Sequence, residues 1–73
     1  EMSNHRELLS RLKPLVNNKN QWVDFSNYID YVIEQQHKIL EQSSDSIIIY
    51  QAQGAISTLR RLKLLRDEVN KNG

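Results

Sequence analysis

The chain has 73 residues, with 10 Lys+Arg against 9 Asp+Glu, so its formal net charge is +1. This length fits one domain. The absence of cysteine excludes a disulfide scaffold and any Cys-ligated zinc or iron–sulfur site. No stretch reaches the roughly 18 consecutive apolar residues of a membrane span, and the first residues carry no apolar block of the signal-peptide kind, so the expectation is a cytoplasmic protein.

Three helices are predicted in chain order, over about residues 4–16, 21–42 and 46–70. The first opens with Asn4 and Glu7 in capping-box spacing, with Ser3 as an alternative cap. Its apolar stripe is Leu8, Leu9, Leu12, Leu15 and Val16. Pro14 interrupts that stripe, because it has no N–H for the Ser10 carbonyl and its ring crowds it; a kink or an irregular last turn is expected. Asn17–Asn20 form a polar connector, and Asn18 or Asn20 is the natural cap of the second helix.

In the second helix Trp22, Phe25, Ile29, Val32, Gln36 and Ile39 alternate steps of three and four, a coiled-coil-like seam with one polar member. Tyr28, Ile33 and Leu40 widen it, while Asp24, Asp30, Tyr31, Glu34 and Lys38 fall opposite. The short turn at Ser43–Ser44 implies an antiparallel helical hairpin, with Asp45 or Ser44 capping the third helix. There, Ile48, Ala52, Ala55, Leu59, Leu62, Arg66 and Val69 follow the same alternation, flanked by Ile47, Ile49, Ile56 and Leu65. The tail Asn70–Gly73 has the composition of a frayed end. Folding about the turn opposes Tyr28 to Leu59, Val32 to Ala55 and Ile39 to Ile48. It also brings Asp24, Asp30 and Glu34 beside the half of the third helix that holds Arg60, Arg61, Lys63 and Arg66, and sets Arg66 where it can stack on Trp22. The predicted fold is therefore all-α: a long antiparallel hairpin with a short N-terminal helix packed on it.

No catalytic constellation emerges. There is no thiol nucleophile, no phosphate-cradling glycine loop, and the carboxylates spread along a solvated face. The two histidines, His5 and His37, lack ligand-like spacing. No catalytic residue, metal ligand or cofactor is assigned, and the chain reads as a non-enzyme. Small domains without disulfides or metals commonly gain stability from association. The apolar arc of the third helix is wider than one partner helix needs, which points to a protein partner and to a homo-oligomer. Tyr31, Tyr50, Gly54, Arg60, Arg61 and Leu64 are the candidate partner-binding residues. Gly54 is either a tolerated surface glycine or a place where a helix or ring packs closely. The scaffold is expected to be organised by Trp22, Tyr28, Leu59, Leu62 and Leu65.

The basic run from Arg60 to Arg66 also allows a small nucleic-acid-binding regulator, although no aromatic residues interleave with it and Asp67 and Glu68 dilute its field. Inhibition of a host protein by the same helix faces is a third possibility.

The segments Tyr28–Ile29–Asp30–Tyr31, Leu40–Glu41–Gln42, Tyr50–Gln51–Ala52–Gln53–Gly54–Ala55–Ile56 and Leu59 to Asp67 resemble small helical proteins of tailed bacteriophages, of the virion-morphogenesis or accessory type. The resemblance spans about residues 22–69. It implies a partner-binding or assembly role in an infected bacterial cell, possible presence in the virion, and no active-site residue.

Overall fold

A computed structural model describes residues 4–72, which form five helices and, among the described residues, no strand. They are α1 (His5–Arg11), α2 (Lys13–Val16), α3 (Lys19–Gln42), α4 (Ser46–Leu62) and α5 (Leu65–Asn72). α3 and α4 pack along their length as an antiparallel hairpin. The short N-terminal helices rest on α5 and on the start of α3.

The helix boundaries follow local chemistry. Asn4 caps α1, but its side chain accepts from the Arg6 N–H at 2.8 Å. Glu7 turns away to meet Arg11 at 3.3 Å, so the predicted box closes on neither partner. The alternative cap Ser3 lies outside the described residues. The proline effect falls upstream of Pro14 itself. α1 ends at Arg11, the Leu12 N–H bonds back to Leu9 at 3.0 Å, and α2 restarts with Val16 donating to the Leu12 carbonyl at 3.0 Å. Pro14 then occupies the first turn of α2, where a missing N–H costs no internal bond. The first predicted helix is therefore two.

α3 starts at Lys19 rather than 21, because Asn18 is the cap and accepts from Gln21 at 3.0 Å. At the turn, Asp45 accepts from Ile47 at 2.9 Å and Ile48 at 3.3 Å, and the Ser43 hydroxyl accepts from the Asp45 N–H at 3.1 Å. A carboxylate on the first free N–H groups of α4 also suits the helix dipole.

The third predicted helix also divides. Leu64 donates to Arg61 at 3.0 Å, a tight i−3 bond, and α5 resumes as Glu68 donates to Leu64 at 3.0 Å. Neither Gly nor Pro sits at this break. What draws α5 aside is packing: Val69 is fully buried with Leu9 and Val16, and Leu65, Leu12 and Trp22 close around them. Asn17 and Asn70 exchange two amide hydrogen bonds, each 3.0 Å, across the same junction. This docking keeps the tail helical to Asn72, where fraying was expected.

The hairpin has its own small core of Ile29, Ala52 and Ile56. Burying an isoleucine stabilises by about 1.5–3 kcal/mol. The α3 seam is the predicted one: Trp22, Phe25, Val32, Gln36 and Ile39 are half-buried around Ile29. The α4 seam is rotated from the predicted one. It runs through Ile49, Ala52, Ile56 and Leu59, leaving Ile48 and Leu62 exposed at 42% and 39%. Tyr28, assigned to the scaffold, is 63% exposed. Arg66 is exposed, and Trp22 packs beside Phe25 with ring centres 5.5 Å apart.

The expected charge pairing is realised once. Among the described residues, Lys63–Asp30 at 2.6 Å is the ion pair that crosses the hairpin. The Cα radius of gyration is 15.1 Å, against about 11 Å for a compact domain of this length. The thinnest dimension is 17 Å, too little for three layers of helices whose axes lie about 8–10 Å apart.

Candidate interaction surface

The two long helices divide the hairpin surface into two unlike sides. Successive helix residues advance by about 100°, so the line of contact through Ile29 and Ile56 fixes where the flanking residues fall. One side is located directly by a cleft of about 370 Å³ lined by His37, Leu40, Gln53, Ile56, Ser57 and Arg60. Asp30, Glu34 and Lys38 continue that side along α3, around a neighbouring hollow that His37 also lines. It carries charged side chains around apolar Ile33 and Leu40.

The other side is apolar. From α3 it takes Tyr28, Val32, Gln35 and Ile39, with the exposed Asp24 beside Gln35 around the helix; from α4 it takes Ile48, Ala55 and Leu62, which stand seven residues apart. Ile47 lies on the back of α4, nine residues from Ile56, and Tyr31 lies toward the back of α3 on the stripe of Asp24 and Lys38; the Tyr28 and Tyr31 rings are 6.4 Å apart. Three large hydrophobic residues on this side stand in the open, Tyr28, Ile48 and Leu62. Scattered exposed apolar residues carry no meaning, but a contiguous group on one side marks an interaction surface.

All six residues singled out from sequence are exposed, and they do not form one patch. Tyr31 lies toward the back of α3. Tyr50, 74% exposed, and Gly54 lie on the back of α4, away from α3. Nothing lies within 4 Å of a β-carbon built on Gly54, so among the described residues no ring or helix packs over it. Leu64 stands at the α4–α5 break. Arg60 lines the cleft beside His37 and Leu40, whereas Arg61 lines a separate hollow with Thr58, Leu62, Leu65 and Glu68. The basic run is thereby split between two sides of the helix.

The residues that sequence reading missed are Tyr28, Ile48 and Leu62, because it placed them in the core. The available signal was the width of the α4 arc: two seams, through Ile48 and Ile49, fit the same helix, and only one can face α3.

Among the described residues, no group of three His, Cys, Asp or Glu side chains is placed to hold a metal. No helix of the described residues is long and apolar enough to cross a membrane. Compared with family models, curated proteins and solved structures, the chain matches none of them.

Proposed function

We propose that this chain is a non-enzymatic protein-interaction module that self-associates and can dock into a larger protein assembly. The observation that carries the reading is the uncovered apolar side of the α3–α4 hairpin. Tyr28, Ile48 and Leu62 are exposed there, while the opposite side carries most of the charged residues of α3. The small core supports the same conclusion, since a domain of this size gains little from burial within itself. The likeness of residues 22–69 to small bacteriophage proteins supplies the setting we propose, an accessory or assembly role in an infected bacterium; it rests on the sequence pattern alone.

The test is the solution mass of the whole chain by light scattering across a range of concentrations. Self-association gives a mass above 8.6 kDa that rises with concentration. A monomeric mass throughout, together with no partner retained in a pull-down, would remove the reading.

A further inference from the structure

We propose that two copies of this chain exchange their C-terminal helices: α4 and α5 run on as one helix, and α5 of each copy fills the cradle of Leu9, Val16 and Trp22 in the other. This rests on the self-associating reading above and gives association a segment and a surface apart from the hairpin face.

The first argument is the break between the two helices. It lies at Lys63 and Leu64, with no glycine or proline beside it. Its backbone keeps the hand of a helix: Lys63 has φ −67° and ψ −18°, and no described residue has positive φ. Leu64 donates to the Arg61 carbonyl, where a continuous helix would have it donate to Arg60. A change of hydrogen-bond partner, and not a turn of opposite hand, separates the bent form from one straight helix.

The second argument is helix phase. The pairing with α3 stays on course up to the break, since Lys63, seven residues on from Ile56, meets Asp30 at 2.6 Å. On a straight continuation Leu65 and Val69 stand about 180° and 220° round from Ile56, away from α3. A single chain must choose between the bonds of a continuous helix and the burial of Val69, and it gives up the first. Two chains keep both. The straight helix carries Leu65 and Val69 on its outer side, where the cradle of a second copy receives them.

The third argument is that the occupant is already seen. α5 packs on α1 and α2, and the cluster of Leu9, Val16 and Val69 stands apart from the hairpin core of Ile29, Ala52 and Ile56. Exchange therefore remakes the junction between copies and leaves the hairpin as it is. The two 3.0 Å amide bonds of Asn17 with Asn70 carry over to the exchanged form, as does the approach of His5 to Glu68 at 3.4 Å. Each copy gives one α5 and receives one, so the arrangement is two-fold symmetric and closes as a dimer.

The experiment uses the whole chain. Isotopically labelled and unlabelled copies are mixed in urea and refolded together at high concentration. Light scattering is expected to give a dimer. NMR filtered for contacts between labelled and unlabelled chains is expected to show the Val69 methyls against Leu9 and Val16. Leu64 is exposed and lies outside both helices in the bent form, so Leu64→Gly puts a glycine inside a helix only when the helix is straight. Two such glycines per dimer should weaken dimerisation by about tenfold or more. Gln51→Gly, at an exposed position inside α4 in both forms, should leave the dimer's dissociation constant unchanged. A dimer whose Val69 contacts fall only within chains, or one that the two glycine variants weaken alike, overturns the exchange while self-association stands. A monomer at every concentration overturns the exchange, and the reading beneath it falls as well if a pull-down retains no partner.

Discussion

Gly54 stands in the interior of α4, exposed, with open space where a β-carbon would be. A glycine there holds extra freedom in the unfolded chain and gives nothing back in packing. Gly54→Ala is therefore expected to raise stability by up to about 1 kcal/mol, read from urea unfolding at one fixed protein concentration; a loss of similar size would mean that something does pack over this position. Asp45 is the opposite case. Its carboxylate takes two N–H groups at the start of α4, so Asp45→Ala should cost about 1 kcal/mol and Asp45→Asn, which keeps the acceptor, distinctly less. Equal losses for the two variants would show that the acceptor oxygen contributes nothing. These residue-scale features were readable in advance: an Asn or Asp just before an apolar-periodic run predicts a cap from its own chemistry, as Asn18 and Asp45 show. Asn4 was legible as a cap but not in its partners. Glu7 had two local choices, the backbone of Asn4 or the guanidinium of Arg11, and spacing alone favours neither.

The hairpin and its turn were legible in the elements, because hydrophobic spacing and a three-residue polar connector fix both. The division of the C-terminal helix was not. Nothing in the residues 62–65 breaks a helix; the turn at Leu64 exists because Val69 is worth more against Leu9 and Val16 than in a straight continuation of α4. Tertiary packing of this sort leaves no local trace. It also explains why the rotated α4 seam was missed, since Ile48 and Ile49 are equally apolar and the choice depends on where α3 comes to rest. The junction gives a prediction at its own scale. Val69→Ala removes two methyl carbons from a fully buried site and should cost about 2 kcal/mol. Hydrogen exchange should then show α5, α1 and α2 losing protection together while the α3–α4 core around Ile29 and Ile56 keeps its own. Uniform loss across all five helices would show one cooperative unit instead.

For the whole molecule the decisive property is openness. The fold is thin and wide, with two small cores, one in the hairpin and one at the helix junction, and no disulfide staples one to the other. A chain of this kind gains what its interior lacks from a partner that binds the folded form and not the unfolded one, and that linkage makes thermal stability depend on protein concentration. For a dimer, each tenfold rise in concentration adds about 1.4 kcal/mol per dimer, or about 0.7 kcal/mol per protomer. With a domain this size moving about 4–8 °C per kcal/mol, the unfolding midpoint should climb by roughly 3–6 °C per decade of concentration. Calorimetry over two decades measures this directly. A midpoint independent of concentration in the unaltered protein would mean that the two small cores suffice alone, and that the apolar side of the hairpin is not used by a second copy.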